Sequence, residues 1–102
     1  MEFFYWQPYG YIEYAVIDEK VVSIVYIHID KEYRRMGYGI KMMRKFAELM
    51  RKRRVWNIEL ENMLERSNKF YDKMGFKYVD KNDCTMKIKT YMLCKKKFTK
   101  NI

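Results

Sequence analysis

The feature that most restricts the fold is a nine-residue apolar run over residues 21–29, which is soon followed by a helical pattern. The run is rich in β-branched and aromatic side chains, and only Ser23 and His28 interrupt it. This length and composition are typical of a central strand that is covered on both faces. Apolar residues then recur at positions 40, 43, 47 and 50, with charged residues on the other side. This spacing predicts an amphipathic helix over 37–53.

Shorter patterns complete the series of elements. Turn residues separate the first three strands, and Gly75 is suited to end a second helix. The predicted elements are strands over 2–7, 11–17 and 21–29, a helix over 37–53, a strand over 55–61, a helix over 64–74, and strands over 76–79 and 85–94. Their order is strand, strand, strand, helix, strand, helix, strand, strand.

This order predicts how the strands pair. A strand–helix–strand unit forms a right-handed crossover, so the strands before and after the first helix should be parallel. Strands that are joined by short turns should be antiparallel. We therefore expect an α+β fold of the three-layer type, with a mixed sheet of about six strands and two main helices. A chain of 102 residues is expected to form a single domain over residues 1–102.

Composition excludes some classes of function. The longest apolar run is far shorter than the roughly 20 residues that cross a bilayer, and the N-terminus does not resemble a secretory signal. We therefore expect no membrane association and a cytoplasmic location. Two cysteines and one histidine cannot form the usual tetrahedral zinc site, so no metal is expected.

The net charge of +9 is concentrated in two places, residues 34–54 and the C-terminal tail. Such charge attracts a polyanion, either a nucleic acid or a phosphorylated cofactor. A solvated helix face with a polar tail would account for the same residues. Charge alone does not decide between these interpretations.

The turn between the long strand and the first helix reads Arg34-Arg35-Met36-Gly37-Tyr38-Gly39. The first turn of a helix leaves backbone N–H groups without partners, and the helix dipole makes this end positive. Gly37 and Gly39 keep side chains away from an approaching anion. The segment therefore predicts a pyrophosphate site made of amides. It is neither the three-glycine dinucleotide fingerprint nor a Walker A loop.

Two motifs resemble those of the GNAT superfamily of N-acetyltransferases. Arg34-x-x-Gly37-x-Gly39 is similar to the family's Q/R-x-x-G-x-G/A signature, and residues 70–76 resemble its F/L-Y-x-K-x-G-F segment. The resemblance covers roughly residues 11–94 in the expected order. It implies a splayed sheet that holds acetyl-CoA in its opening. The implied cofactor-binding residues are Ile27, Ile29, Arg34, Arg35, Met36, Gly37, Tyr38, Gly39 and Ile40.

The same resemblance implies catalytic residues. Tyr71 stands where the family has the tyrosine that protonates the departing thiolate. Glu59 resembles the glutamate that accepts the amine proton in the ribosomal-protein alanine acetyltransferase branch, and Glu61 on the same strand face is an alternative. The histone acetyltransferase branch has its base where this chain has Ser23, which cannot act as one. His28 has a suitable intrinsic pKa but is more often structural in such a position.

This sequence also departs from the family pattern. Leu64 replaces a cofactor-contacting asparagine, Ser67 replaces a small alanine, and the family's first strand and two helices lie before the point where this chain begins. We therefore expect an acceptor pocket that is open or completed by another subunit. The aromatic residues of positions 3–14 favour a homodimer.

We expect direct transfer of acetyl from acetyl-CoA to a primary amine, which can be a peptide N-terminus, a lysine or a small amine. The alternative is a catalytically degenerate module that binds CoA or a polyanion. A nucleic-acid binder is less favoured.

Overall fold

The computed structural model describes residues 1–60, 65–80 and 85–95. These residues form six strands and three α-helices, with a single 3-10 turn at Lys31–Tyr33. The strands are β1 (Glu2–Trp6), β2 (Gly10–Asp18), β3 (Val21–Ile29), β4 (Asn57–Leu60), β5 (Lys77–Asp80) and β6 (Thr85–Lys89). The helices are α1 (Tyr38–Lys52), α2 (Glu65–Met74) and α3 (Thr90–Lys95). No helix within these residues is both long and apolar enough to cross a membrane.

The strands form one mixed sheet in the order β1-β2-β3-β4-β6-β5. The pairing of β3 with β4 is parallel, and the other four pairings are antiparallel. The expected α+β fold with a mixed six-stranded sheet is thus confirmed. The parallel pairing follows from the crossover through α1, and the short turns of the β1-β2-β3 meander give the antiparallel pairs.

One face of the sheet carries the hydrophobic core. Val22, Ile24, Ile58 and Leu60 alternate along β3 and β4 and are almost fully buried. Helix α1 covers this face with a stripe of buried side chains at helical spacing: Met42, Met43, Phe46, Ala47 and Met50. Complete burial of one such large side chain stabilises the fold by about 1.5–3 kcal/mol. The charged face of α1 is left in solvent.

The described pairing of β3 with β4 covers only the first half of β3. Residues Val21–Ile24 pair with Asn57–Leu60 of β4, whereas the second half of β3 extends past the last described residue of β4. That second half pairs with β2 on its other side. The described pairing therefore agrees with the splayed sheet that the family resemblance implied.

The expected final strand over 85–94 is wrong in its second half. Strand β6 ends at Lys89, and Thr90–Lys95 form α3. Burial alternates through Met86, Ile88 and Thr90, but the next buried residue is Leu93, three positions later. Thr90 anchors the change, because its Oγ1 donates to the carbonyl of Val55 at 2.8 Å. Helix α3 then packs along α1.

The start of β4 was also predicted two residues too early. Arg54 has a positive φ of 63°, and the N–H of Val55 donates to the carbonyl of Met50 at 2.9 Å. These contacts reverse the chain at the end of α1, so the strand begins only at Asn57. Trp56 lies before the strand and is 41% exposed. Residue 61, the last of the predicted strand, lies outside the described residues.

Candidate functional site

The turn before α1 has an uncommon backbone. Gly37 is left-handed at φ 82°, and Arg35 has a φ of 63° although it carries a side chain. A left-handed conformation costs an ordinary L-residue about 1–2 kcal/mol, and such strain concentrates at binding sites. Gly37 is also the N-cap of α1, and no side chain caps that end of the helix. The amides of the first helical turn are therefore left for another acceptor.

A cavity of about 300 Å³ lies against this turn. Its lining includes eight of the nine residues proposed from the sequence to bind the cofactor: Ile27, Ile29, Arg34, Arg35, Gly37, Tyr38, Gly39 and Ile40. Met36 is not part of the lining and is 61% exposed. The structure thus brings the end of β3 and the start of α1 together around one concave surface.

The two glycines serve this surface in different ways. A Cβ atom built on Gly37 would meet no other atom within 4 Å, so the backbone here faces open space. A Cβ atom on Gly39 would lie 3.1 Å from Cζ of Phe70, so this glycine allows α2 to approach the start of α1. An anion can therefore reach the amides at Gly37, while Phe70 closes the neighbouring wall of the cavity.

A cluster of four rings supports the turn from the side of the β1–β2 connection. Tyr9 stacks on Tyr38 at 4.3 Å between ring centroids, and its ring lies 4.6 Å from that of Trp6 and 4.9 Å from that of Tyr33. The carbonyl of Tyr9 also accepts the N–H of Asp30 at 2.8 Å. Tyr33 lines the cavity. The sequence showed a high aromatic density here, but it gave no signal that Tyr9 and Tyr33 meet.

Arg34 is held in place by the strand that precedes it. Its Nε donates to the carbonyl of Ile29 at 2.8 Å, although the side chain is exposed. Arg34 therefore fixes the exit of the chain from β3 and also keeps a cation at the edge of the cavity. Arg35 is exposed and adds a second positive charge there.

Tyr71 lies in α2, next to the cavity residue Phe70, but it does not itself line the cavity. It is only 7% exposed, and its ring packs against Phe70 and Phe76 at 5.1 and 5.6 Å. Burial raises the pKa of Tyr71 to about 12, because the phenolate would lose its hydration. The hydroxyl therefore stays protonated throughout the neutral range. Transfer of its proton to a thiolate whose acid has a pKa near 8.5 is uphill, which favours hydrogen-bond donation.

Glu59 lies in β4 on the sheet face opposite the core. Its neighbours Ile58 and Leu60 are fully buried, whereas its own side chain is 24% exposed. It is in register with Ser23 on one side and with Lys87 on the other, and Lys87 Nζ lies 3.9 Å from its Oε2. Ser23 precedes the cavity residue Ile27 by four positions, which is about 13 Å along a strand.

The other candidate bases are placed differently. His28 lies on β3, five residues or about 16 Å beyond Ser23, so the structure does not bring it to Glu59. Its Nε2 pairs with Oδ1 of Asp30 at 3.0 Å, and its ring lies 5.2 Å from that of Tyr11. Glu61 lies outside the described residues, as do Leu64 and the side chain of Ser67. Among the described side chains, no three acidic, histidine or cysteine groups are arranged to hold a metal ion.

The raised pKa of Tyr71 predicts a loss of stability in alkali. The unfolded chain has the ordinary pKa of 10.0, and the folded chain about 12, so only the unfolded chain ionises between these values. The free energy of unfolding should therefore fall by about 1 kcal/mol from this group between pH 9 and pH 11. Urea unfolding should show that the free energy of unfolding of Tyr71→Phe falls by about 1 kcal/mol less over this pH range than that of the parent chain. Tyr91→Phe, which changes an exposed ring on α3, is the control; an equal pH dependence in all three proteins would contradict the assignment.

Comparison with solved structures shows many proteins of the same fold. Ard1 from Thermoplasma volcanium aligns with a TM-score of 0.64 at 24% identity, over 79% of this chain and 62% of the other. The PaiA N-acetyltransferase of Thermoplasma acidophilum, solved with coenzyme A, gives 0.66 at 24% identity, over 79% and 53%. The ribosomal-protein alanine N-acetyltransferase from Escherichia coli gives 0.63 at 18% identity, over 80% and 61%. The chain therefore spans about half to three-fifths of the length of these proteins.

Comparison of the sequence with curated proteins gave no match. The model of the acetyltransferase (GNAT) family matches residues 6–76, which is more than half of the chain. That segment contains the glycine turn, the parallel pair of strands, Glu59 and Tyr71. The chain belongs to the acetyltransferase (GNAT) family.

Proposed function

We propose that this protein is an N-acetyltransferase that transfers acetyl from acetyl-CoA directly to a primary amine in a ternary complex. The observation that carries the proposal is the cavity at the start of α1, where the left-handed Gly37 and the uncapped helix end meet two arginines. Membership of the family supports an acyl-CoA substrate. The acceptor amine is a peptide N-terminus, a lysine or a small amine.

The described residues fit the charged part of acetyl-CoA. The amides of the first turn of α1 would hold the pyrophosphate, since they lack partners within the helix and the helix dipole favours an anion there. Arg34 and Arg35 would add positive charge, and each charge-assisted hydrogen bond contributes about 1.5–3 kcal/mol. The backbone of Ile27 and Ile29 would pair with the pantetheine arm along the part of β3 that lies beyond its described pairing with β4. Bound acetyl-CoA supplies an activated acyl group.

Two side chains would handle the protons. Glu59 would accept the proton of the attacking amine at a carboxylate oxygen, directly or through water. Tyr71 would donate a hydrogen bond from its hydroxyl to the departing sulfur, because its raised pKa keeps it protonated. Ser23, which is in register with Glu59, lies about 13 Å from Ile27 along β3. This distance would allow an extended pantetheine arm to connect the phosphates near Ile27 to a thioester near Glu59. Most of the rate enhancement would come from positioning.

The second candidate is a module on the same fold that binds CoA or a polyanion without catalysis. The burial of Tyr71 favours this second candidate. Tyr71 does not line the cavity, whereas its neighbour Phe70 does, so a purely structural role in the core would account for its position. Calorimetry with acetyl-CoA, followed by a thiol-release assay over a panel of amines, separates the two. Binding without acceptor-dependent release of CoA would favour the second candidate. The single domain over residues 1–102 and the cytoplasmic location stay predictions from the sequence.

A charge placed at Gly37 tests the cofactor site. Gly37→Asp puts a carboxylate beside the proposed pyrophosphate position, and Gly37→Asn adds a side chain of the same shape without the charge. Both residues tolerate a left-handed backbone better than other residues do. We expect calorimetry with CoA to show at least a tenfold weaker affinity for the aspartate variant than for the asparagine variant. Equal affinities would remove the turn from the pyrophosphate site.

Replacement of Glu59 tests the base. Glu59→Gln keeps the shape of the side chain but cannot accept a proton, so we expect kcat to fall by about 100-fold or more. The affinity for acetyl-CoA should stay within twofold, which calorimetry would measure. Glu19→Gln, which changes an exposed turn residue, is the matched control. An unchanged kcat would leave Glu59 with only its ion pair to Lys87, and Glu61 would become the next candidate.

We further propose that the chain forms a homodimer through an aromatic face on β1–β3. The rings of Phe3, Tyr5, Tyr11, Tyr26 and His28 lie side by side on the sheet face away from the core. Phe3, Tyr5 and Tyr26 are 45%, 60% and 51% exposed, and exposed aromatic surface of this kind is common at interfaces.

Light scattering at micromolar concentration should give twice the chain mass of 12.8 kDa. Tyr26→Glu should return the protein to a monomer, because it buries a charge in the proposed interface. Ile17→Glu, at an exposed site near the far end of β2, should remain dimeric. A monomeric mass for the parent chain would refute this association.

A further inference from the structure

Three lysines converge on the outer face of the sheet near the end of β6. Lys77 of β5 is directly opposite Lys87 of β6, and Lys89 follows two positions later on the same face. Together with Asn57 they line a concave surface of about 440 Å³. This surface is separate from the cavity at the start of α1, because the two have no lining residue in common.

The arrangement of these lysines is electrostatically unfavourable without a ligand. Like charges that are directly opposite each other on paired strands repel, and this costs up to about 1 kcal/mol. Lys87 has a carboxylate partner in Glu59 at 3.9 Å. Within the part of the chain whose side chains are described, no carboxylate lies at ion-pair distance from Lys77 or Lys89. An anion on this surface would relieve the repulsion.

The surface adjoins the proposed base. Glu59 is in register with Lys87, and Asn57 is in register with Lys89, so all four side chains project from neighbouring positions on one sheet face. Directly opposite residues on antiparallel strands have their Cβ atoms about 5 Å apart, and the next pair on the same face is about 7 Å further along. The Cβ atoms of Lys87 and Lys89 therefore lie about 5 and 9 Å from that of Glu59, so a group bound by these lysines would be close to the Glu59 carboxylate.

We propose that Lys77, Lys87 and Lys89 bind an anionic group of the acceptor, so that the acceptor is an amine that also carries carboxylates or a phosphate. This inference rests on the proposed acetyl transfer, and it names the acceptor class for the same site. A polyamine or another polycation is repelled by the same surface. Phosphate and carboxylate groups share the chemistry that lysine recognises, since its ammonium group acts as a point charge.

The test uses short peptides with the same free N-terminal alanine, followed by two glutamates, two glutamines, two arginines, or a phosphoserine and a glutamine; arginine supplies positive charge without a second acceptor amine. At low salt, the thiol-release assay should give kcat/KM values about tenfold higher for the acidic peptide than for the neutral one, with the basic peptide lowest. The preference should shrink as the salt concentration rises, because exposed ion pairs are screened. A comparison of kcat/KM for the phosphoserine peptide and the glutamate peptide shows whether the site prefers a phosphate or a carboxylate.

Variants connect the preference to the lysines. The double variant Lys77→Gln, Lys89→Gln should lose most of the tenfold preference, whereas Lys45→Gln, on the exposed side of α1, should keep it. Lys77→Gln alone should also raise the melting temperature, because it removes the cross-strand repulsion. Retention of the preference in the double variant would overturn the assignment.

A binding measurement separates this inference from the transfer reaction. An N-acetylated acidic peptide cannot accept acetyl, yet it should shift the backbone amide resonances of Lys77, Lys87 and Lys89 in the parent chain. Such shifts without CoA release from any peptide would refute the transferase and leave the anion site standing. Normal turnover with no acidic preference and no shifts in β5 and β6 would refute the anion site alone.

Discussion

The parallel pairing of β3 with β4 is the contact on which the other features of the molecule depend. A parallel pair requires a crossover, and the right-handed crossover places α1 on one particular face of the sheet. The same geometry directs the start of α1 towards the end of β3, so the free amides of the helix meet the strand end that carries Ile27 and Ile29. The register of this pair also sets Glu59 beside Ser23. The cavity and the candidate base are thus fixed by one set of backbone hydrogen bonds.

The two faces of the sheet have different chemistry. The face under α1 holds the apolar core, and Ile27, Ile29 and Ile40 pack partly against it where they line the cavity. The opposite face carries Glu59, three lysines and an aromatic patch. In the proposed reaction, the phosphates of the acyl donor are held at the helical side, and the acceptor approaches the polar side. The two would meet beyond Ile24, the last residue of β3 in the described pairing with β4.

Sequence periodicity predicted the elements that are stabilised by local pattern. The bounds of β3 agree with the structure, and α1 differs by one residue at each end, because burial of a continuous apolar run or stripe is sufficient to specify them. The sequence predicts a strand for residues 90–94, since a short apolar run fits either state and the deciding hydrogen bond from Thr90 reaches Val55, 35 positions away. The stacking of Tyr9 on Tyr38 and the close approach of Phe70 to Gly39 also join residues that are far apart in the sequence. Local periodicity could not predict them. Motif spacing selected eight cavity residues, but it could not show that Tyr71 is buried behind Phe70.

The hydrogen bond from Arg34 to the carbonyl of Ile29 and the ring stack of Tyr9 on Tyr38 hold the two ends of a connector of fixed length. One inserted or deleted residue in that connector would rotate α1 by about 100° about its axis. Met43 and Phe46 would then turn out of the core while the strand stayed in place. A substitution in the connector leaves this spacing unchanged, whereas a change in its length would disrupt the hydrophobic interior. Both the packing of the core and the shape of the binding site therefore depend on the number of residues between β3 and α1.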